Sequence, residues 1–234
     1  MIGLQPWLDD GQQAMSAVFA HALPPLLRTA TLQPAGRWPL PGRQAPTPPL
    51  LRASMTETRR HGRRLAAFAA ALGRHISLSP VDLGVLRVGS LLHDVGKNSL
   101  PPHLLFKCGR LSAEEFATVK FHPIIGDLLC ARVPALQSVR PIVRHHHERL
   151  DGTGYPDGLR GDQIPLLAQI VGVVDVYDAL VCTRPYKPAY DSARAFELLR
   201  REMELGWRRA DLVTALIDVV ESGEVDWLAV ATAG

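Results

Sequence analysis

The 234-residue chain is long enough for one large domain, or for one domain with a small appendage. Its hydrophobic content of 47% and charged content of 21% are typical of a globular protein with a sizeable core. The formal charge of +3 is too small for this length to indicate a nucleic acid as partner. Four arginines cluster in one short stretch, and we interpret them as the solvated face of a helix: Arg59, Arg60, Arg63 and Arg64.

Cysteine usage and the N-terminal sequence bear on location. Three widely spaced cysteines, an odd number, argue against a disulfide framework and favour a reducing compartment. The N-terminus has no basic segment followed by an apolar run, so we expect no signal peptide. No stretch reaches the roughly 18 uninterrupted apolar residues of a membrane span. The sequence therefore predicts a cytoplasmic protein without a membrane span.

Residues 1–51 are predicted to form an N-terminal appendage with a Pro-rich linker. The segment from Leu32 to Leu51 is rich in Pro and Gly and has neither a helical nor a strand period. A short helix before it is broken at Pro24 and Pro25. The main domain is accordingly predicted to span residues 52–234.

After the linker, apolar residues recur at the spacing of amphipathic helices. We expect Thr56 to cap the first helix and Ser79 to cap the second. Ser112, three residues before Glu115, has the pattern of a capping box at the start of a later helix. A valine-rich run at residues 170–176 would also suit a buried strand, but no alternating pattern supports a sheet elsewhere. The domain is therefore predicted to be all-α.

Histidine and carboxylate side chains recur once in each predicted helix. Glu57 and His61 are four residues apart, so both project from one helical face. The other members of this set follow along the chain: His93, Asp94, His122, His146, His147 and Asp175. Because an unpartnered charge inside an apolar helix is costly, we expect these groups to converge on a metal site in the core of a bundle.

The donor chemistry of this set indicates more than one metal ion. Imidazole nitrogen and carboxylate oxygen, without thiolate, favour Fe, Mn, Zn or Co. Eight candidate ligands exceed the four of a structural zinc site and suit two or three ions with positions open to water and substrate. An aspartate beside its histidine, as in His93-Asp94, can bridge two ions with its two oxygens. Two ions about 3.5–4 Å apart suit in-line attack of a metal-bridged hydroxide on a phosphodiester.

Each element of this pattern also has an ordinary structural interpretation. Glu57 and His61 taken alone would more often be a surface pair, and His122 before Pro123 a helix-end histidine. The run of three histidines could be the polar end of a helix. Asp175 lies among valines, where a carboxylate demands a partner. The structural interpretation must be repeated for every site, whereas one metal centre accounts for all of them.

Two longer motifs resemble a known family. "HDVGK", from His93 to Lys97, resembles the signature of the HD-superfamily metal phosphohydrolases. "HHERLDGTGYPDGLRGDQIP", which begins at His146, and "VVDVYDALVCTRPYK", which ends at Lys187, are similar to the HD-GYP subfamily, the cyclic di-GMP phosphodiesterases. The resemblance runs from about Glu57 to Lys187.

The resemblance implies an HD-type helical bundle with a bi- or trinuclear metal site in its core and a GYP loop at the mouth of the site. Iron or manganese is the usual metal of this family. The positions of the family's ligands are occupied here by His61, His93, Asp94, His122, His146, His147 and Asp175. Glu57 falls where some members have a further carboxylate for a third ion. His145 is implied to be a structural neighbour.

The resemblance also implies catalytic and substrate-binding residues. Asp94 and Lys97 are the implied catalytic pair, with Lys97 steadying the scissile phosphate. Asp178 falls where it could hold a water or a lysine near the substrate. Arg184 and Lys187 correspond to cations that approach the phosphates and the guanine. Tyr155 of the GYP loop faces either substrate or a protein partner.

The function implied is hydrolysis of cyclic di-GMP to pGpG and/or GMP. One alternative is an HD phosphohydrolase that acts on another cyclic dinucleotide, such as cyclic GMP-AMP. A second alternative is a non-catalytic scaffold that binds cyclic di-GMP or, through the GYP loop, GGDEF-domain proteins. A homodimer is a further candidate assembly. Most members of the family carry a sensory domain, and the short N-terminal segment here leaves the input signal open.

Overall fold

The computed structural model describes residues 49–105, 107, 109–183 and 188–225, and the regular secondary structure of this part is helical apart from one isolated β-bridge between Asp151 and Arg160. Nine α-helices follow one another in the described residues: α1 Pro49–His75, α2 Pro80–Leu92, α3 Pro102–Leu105, α4 Ala113–Val119, α5 His122–Ala131, α6 Arg140–His145, α7 Leu166–Val181, α8 Ser192–Glu204 and α9 Ala210–Glu221. Short 3-10 segments span Val95–Ser99, Pro134–Val139 and Gly161–Gln163. The all-α prediction is confirmed, and the valine-rich run belongs to helix α7.

Two of the three predicted helix starts are confirmed. The Ser79 hydroxyl accepts a hydrogen bond from the Asp82 backbone N–H at 3.1 Å. Ser112 and Glu115 form a reciprocal capping box, each side chain accepting from the other's backbone N–H. The prediction of Thr56 as an N-cap is wrong, because α1 already begins at Pro49. Proline is tolerated in the first turn of a helix, so the helix begins inside the Pro-rich segment.

The apolar core gathers around α1, which packs against α2, α7 and α9. Leucine, isoleucine and phenylalanine side chains supply most of its volume, among them Leu65, Phe68, Leu86, Ile142, Ile170, Leu199 and Leu216. Because α1 and α7 lie at the centre of this core, polar side chains on their inward faces are held in fixed positions.

Two glycines allow the segment Val95–Ser99 to lie directly against α5. A Cβ atom at Gly96 would lie 2.0 Å from the carbonyl oxygen of His122 and 2.6 Å from the backbone nitrogen of Gly126. No larger residue fits at Gly96 without moving one of the two segments. This contact holds Asp94, at the start of the segment, beside the N-terminus of α5.

The predicted appendage, apart from residues 49–51 at the start of α1, lies outside the described residues. None of the helices in the described part of the chain combines the length and the apolarity that crossing a bilayer requires.

Candidate metal centre

Seven of the eight predicted ligand side chains lie together where five helical segments meet. They form two groups that share Asp94, and the ligand atoms within each group lie within 4.8 Å of one another: Asp94, His122, His146 and His147 in one, and His61, His93 and Asp94 in the other. Asp175 on α7 joins the second group, with its Oδ1 3.3 Å from His61 Nε2. The cluster therefore draws on α1, the end of α2, the start of α5, the end of α6, and α7.

Asp94 divides its two carboxylate oxygens between the groups. Its Oδ1 lies 3.2 Å from His122 Nε2 and 3.8 Å from His146 Nε2. Its Oδ2 lies 3.3 Å from His93 Nε2 and accepts a hydrogen bond from Lys97 Nζ at 2.6 Å. A carboxylate that faces two sets of ligands in this way has the arrangement needed to bridge two cations.

Backbone carbonyls fix the tautomer of three imidazoles. The Nδ1 atoms of His93, His122 and His146 lie 2.7, 2.8 and 3.0 Å from carbonyl oxygens one turn earlier in the chain. A carbonyl oxygen can only accept, so Nδ1 carries the proton in each neutral ring. Each Nε2 then presents its lone pair to the cluster, as in metal-ligating histidines whose other nitrogen is hydrogen-bonded to the protein.

Three buried acceptor atoms of the cluster lack a hydrogen-bond donor among the described residues. Asp94 Oδ1, His122 Nε2 and His146 Nε2 are buried and have no hydrogen-bond partner in the described part of the chain. Buried acceptors that face one another without a donor are unfavourable, and a cation at this point would satisfy all three. The residues present therefore fit a divalent metal centre with imidazole and carboxylate ligands.

The protonation states of several ligands already suit a metal. Burial lowers the pKa of His147 to about 3 and holds the pKa of His146 well below its usual range, so both rings are neutral at pH 7. Burial disfavours the charge of Asp94, but attraction to Lys97 and His93 outweighs it and holds the pKa well below normal. Burial likewise opposes the charge of Asp175, whose pKa is held low by the hydrogen bond from His61. Both carboxylates are therefore ionised.

His61 differs from the other ligands because it lies between two carboxylates. Its Nδ1 is 2.8 Å from Asp178 Oδ2, and its Nε2 is 3.3 Å from Asp175 Oδ1. Burial works against a charged ring, but the hydrogen bonds to Asp175 and Asp178 prevail and raise the pKa of His61 to about 9. The ring of the metal-free protein is therefore protonated at neutral pH, and it must release the Nε2 proton to coordinate a metal.

Asp178 lies behind His61, and its oxygens contact His61 and Arg64 instead of a lysine near the substrate. The side chain is 1% exposed. Its Oδ1 accepts from Arg64 Nε at 2.6 Å, and its Oδ2 accepts from His61 and from Arg64 Nη2. Both oxygens are thus occupied on the side of the ring that faces away from the other ligands. The sequence carried a signal for this arrangement, since Arg64 follows His61 by one helical turn and Asp178 follows Asp175 by one turn.

Arg64 was predicted to be solvated, and this is also wrong, because only 3% of it is exposed. The other three arginines of that cluster are exposed as predicted: Arg59, Arg60 and Arg63. The inward position of Arg64 follows from its three-residue spacing from His61, which places both on one face of α1.

The structure does not bring Glu57 to the metal cluster. Its side chain is 58% exposed, and its Oε1 lies 2.9 Å from Arg64 Nη2. Arg64 therefore draws this carboxylate into an ion pair at the edge of the site. The predicted additional ligand for a third metal ion is not in place.

A buried glutamate anchors the GYP loop, residues 148–165, and the sequence analysis missed this residue. Glu148 is 3% exposed and accepts three backbone hydrogen bonds, from Asp157 at 2.7 Å, Gly158 at 3.1 Å and Leu159 at 3.2 Å. A carboxylate directly after two candidate ligand histidines was the available signal. Its buried negative charge is stabilised by the loop that folds around it.

The anchored loop places Tyr155 against the cluster. The Tyr155 ring lies 4.8 Å from the His147 ring and 6.5 Å from the His122 ring, measured between centroids. Gly154 permits this fold, because a Cβ there would lie 2.3 Å from the Arg149 backbone nitrogen. The GYP loop therefore borders the metal ligands, as the sequence predicts.

His145 faces the loop instead of the cluster. Its Nδ1 lies 3.3 Å from Asp157 Oδ2, and the neighbouring Arg144 binds both oxygens of Asp157 at 2.7 and 2.8 Å. These contacts agree with the structural position expected for the first of the three histidines.

Two predicted substrate cations, Arg184 and Lys187, lie outside the described residues. Lys97 lies within them, and its side chain is 37% exposed while its Nζ contacts Asp94. Lys97 is thus held beside the cluster by Asp94 while part of its side chain stays open to solvent or to a bound molecule.

The helical fold and the shared carboxylate together define a helical-bundle protein whose His/Asp cluster is compatible with a metal site. The family model described as "HD domain" matches residues 48–207. The chain belongs to the HD domain family, which confirms the resemblance found in the sequence.

Named relatives and a solved structure agree with this assignment. The chain is 40% identical over 142 residues to the cyclic di-GMP phosphodiesterase response regulator RpfG of Xanthomonas campestris pv. campestris, over 59% of this chain and 38% of the relative. It is 32% identical over 143 residues to the 3'3'-cGAMP-specific phosphodiesterase 3 of Vibrio cholerae, over 61% of this chain and 31% of the relative. The matches thus span less than half the length of these curated relatives.

The solved structure of Bd1817, described as a HDG"Y"P protein from Bdellovibrio bacteriovorus, is similar to this chain. It superposes with a TM-score of 0.59 at 27% identity, over 71% of this chain and 53% of that chain. The likeness extends the agreement from the sequence motifs to the helical architecture.

Proposed function

We propose that this chain is a metal-dependent phosphodiesterase that hydrolyses cyclic di-GMP to pGpG and/or GMP. The observation that carries the proposal is Asp94, whose two oxygens each face a separate set of imidazole nitrogens. Its Oδ1, with the facing His122 Nε2 and His146 Nε2, is buried without a hydrogen-bond partner in the described part of the chain. The relative from Xanthomonas, named a cyclic di-GMP phosphodiesterase, supports the choice of substrate.

A pair of divalent ions bound here would activate a water for attack and neutralise charge on the phosphate. One ion would be held by His61, His93 and Asp175, and the other by His122, His146 and His147, with Asp94 held in common. Lys97, anchored on Asp94 and partly exposed, is placed to bind a phosphate oxygen of the substrate. Tyr155 of the GYP loop lies against His147 at one side of the cluster.

The proposed metals are two ions of iron or manganese. Imidazole and carboxylate donors are compatible with both metals, and the resemblance to the HD-GYP subfamily favours them over zinc and cobalt. The ion pair of Glu57 with Arg64 supports two ions over three. Metal content measured by mass spectrometry on protein purified anaerobically tests the number and the identity. Two ions per chain are expected. Three ions per chain would indicate that Glu57 binds the third ion.

Turnover tests the activity itself. Protein loaded with iron or manganese under reducing conditions should convert cyclic di-GMP to pGpG or GMP, as followed by chromatography. The Asp94→Ala variant should lose this turnover, whereas Asp218→Ala, an exposed aspartate on α9, should retain it. Absence of turnover by the metal-loaded wild-type protein would refute the proposal.

Cyclic GMP-AMP is the second candidate substrate. The relative from Vibrio cholerae, named a 3'3'-cGAMP-specific phosphodiesterase, is the observation that favours it. The ratio of kcat/KM for the two cyclic dinucleotides decides between them, and we expect the larger value for cyclic di-GMP.

A GGDEF-domain partner, a homodimer and a cytoplasmic location are further proposals. The exposed Thr153 and Asp157 on the GYP loop support a partner-binding surface. The unpaired Cys130 and Cys182 support a reducing compartment. The Asp94→Ala variant also separates a scaffold from an enzyme, because a scaffold would keep its partner when hydrolysis is lost.

A further inference from the structure

Helix α4 lies next to the metal centre without contributing to the core. None of its residues is buried, yet its start is fixed by the Ser112–Glu115 capping box and by an ion pair from Lys107 to Glu115. Its Phe116 is 44% exposed, although a phenylalanine normally lies in the core. Three residues after α4 ends, the chain reaches the ligand His122.

Phe116 forms a corner with Tyr155 of the GYP loop. The two rings are 6.3 Å apart between centroids and nearly perpendicular, at 83°. Tyr155 also lies against the ligand His147. Phe116 therefore gives the corner an exposed aromatic face, and Tyr155 connects the corner to the metal cluster.

The ammonium of Lys120 lies in this corner. Its Nζ is 4.9 Å from the centroid of Phe116 and 5.4 Å from the centroid of Tyr155, which are cation–π distances. In the described part of the chain, no carboxylate lies within 4.0 Å of Lys120 Nζ, whereas Lys97 and Lys107 each pair with one. The charge of Lys120 is thus positioned by two rings and is not neutralised by an anion.

We propose that Phe116, Lys120 and Tyr155 form a subsite that binds the part of a cyclic dinucleotide remote from the scissile phosphodiester. A purine base stacks on the exposed ring of Phe116, since every base offers a π-face to an aromatic side chain. Lys120 binds the phosphate that is not cleaved, because an ammonium without a carboxylate partner attracts the second negative charge of the ligand. This inference rests on the proposed function.

The test compares a cyclic dinucleotide with a diester that has no base. Lys120→Met removes the charge at nearly constant length, and Phe116→Leu removes the aromatic face. Each variant should raise the KM for cyclic di-GMP about tenfold, with kcat changed less than about threefold. The ratio of kcat/KM for cyclic di-GMP to that for methyl p-nitrophenyl phosphate should fall about tenfold in each.

Conservative variants and a matched control separate recognition from structure. Lys120→Arg and Phe116→Trp should restore most of the ratio, since charge and aromatic face return. Lys107→Met, at a lysine near the same helix whose ammonium is committed to Glu115, should leave the ratio close to that of the wild type. If kcat/KM fell equally for cyclic di-GMP and for the simple diester, α4 would serve only to support His122. That result would overturn the subsite.

The outcomes also separate this inference from the proposed function. A wild-type protein that cleaves the simple diester but no cyclic dinucleotide would refute the proposed function. A wild-type protein that cleaves cyclic di-GMP, with the Lys120→Met and Phe116→Leu ratios within about twofold of its own, would refute the subsite alone.

Discussion

The imidazoles of the cluster are oriented by groups that lie behind them. Backbone carbonyls bind Nδ1 of His93, His122 and His146, whereas the Asp178 carboxylate binds Nδ1 of His61. A carboxylate is a stronger acceptor than a carbonyl and raises the basicity of the ring. Asp178 is therefore the residue through which the protein can tune one ligand without touching the metal.

Replacement of Asp178 by Asn should weaken metal binding about 10- to 100-fold, because His61 loses its charged partner. The same change removes the buried carboxylate that pairs with the Arg64 guanidinium, which should lower the free energy of unfolding by about 3 kcal/mol or more. Calorimetric metal titration and urea unfolding measure the two effects. Asp218→Asn on α9, where the carboxylate is 53% exposed, is the matched control and should change neither. An unchanged metal affinity in Asp178→Asn would show that the carboxylate serves only the fold.

His61 should make metal binding depend on pH. Its pKa is raised to about 9 in the metal-free protein, above the unfolded value near 6.5. The protonated ring therefore stabilises the metal-free fold fully below about pH 6.5, and this contribution is lost as pH rises through 9. Because a metal must displace the same proton, the apparent metal affinity should rise about tenfold per pH unit between these values.

Proton release gives a direct measurement of this linkage. Calorimetric titrations at pH 7.5 in two buffers of different ionisation enthalpy should show about one proton released by His61. Equal enthalpies of metal binding in the two buffers would mean that no proton is released on binding. That result would contradict the displacement of the His61 proton by the metal.

At the scale of elements, the GYP loop is held by one carboxylate. Glu148→Gln replaces one oxygen with an amide donor that faces backbone N–H groups of the loop. A buried donor left unsatisfied costs about 1–3 kcal/mol, so the loop should open more often. Hydrogen exchange by mass spectrometry should show faster exchange at residues 157–159, with the amides of α2 as an internal reference. Equal protection in the variant and the wild type would exclude Glu148 as the anchor.

The contact between the Val95–Ser99 segment and α5 should also be testable with a single methyl group. Gly96→Ala places a Cβ 2.0 Å from the His122 carbonyl oxygen, so Asp94 or His122 must shift and metal loading should fall. Gly84→Ala in α2 is the matched control, because its Cβ meets no atom within 4 Å. The control should stabilise the protein by about 0.5–1 kcal/mol through helix propensity. Thermal unfolding and metal content of both variants measure these opposite effects, and full metal loading of Gly96→Ala would contradict the close contact.

At the scale of the whole molecule, a single sequence reveals ligands better than it reveals the neighbours of those ligands. His93, Asp94 and Asp175 could be predicted because charged or imidazole groups in apolar helices require a common partner. Helical spacing indicates the faces on which Asp178 and Arg64 lie, but it does not show that they pair, because they are 114 residues apart in the chain. Glu57 shares a face with His61, as its spacing predicts, but Arg64 on the same face competes for its carboxylate.

The His/Asp cluster joins segments that are distant in the chain, from His61 on α1 to Asp175 on α7. Ions that bind this cluster in the native state but not in the unfolded chain stabilise the whole fold by mass action. At a free metal concentration of about 100 times Kd the gain is about 2.7 kcal/mol. For a unit of this size, we expect that gain to raise Tm by about 5–10 °C.

Differential scanning calorimetry of the chelator-treated and the manganese-loaded protein should show this shift as one cooperative transition. Asp94→Asn serves as the control, because loss of the shared carboxylate charge weakens both groups of ligands at once, and its Tm should respond little to manganese. If the wild type and Asp94→Asn gained equally, the ions would be binding elsewhere. If only part of the wild-type transition moved, the five segments would not unfold together, and the cluster would be a local site rather than the centre of the fold.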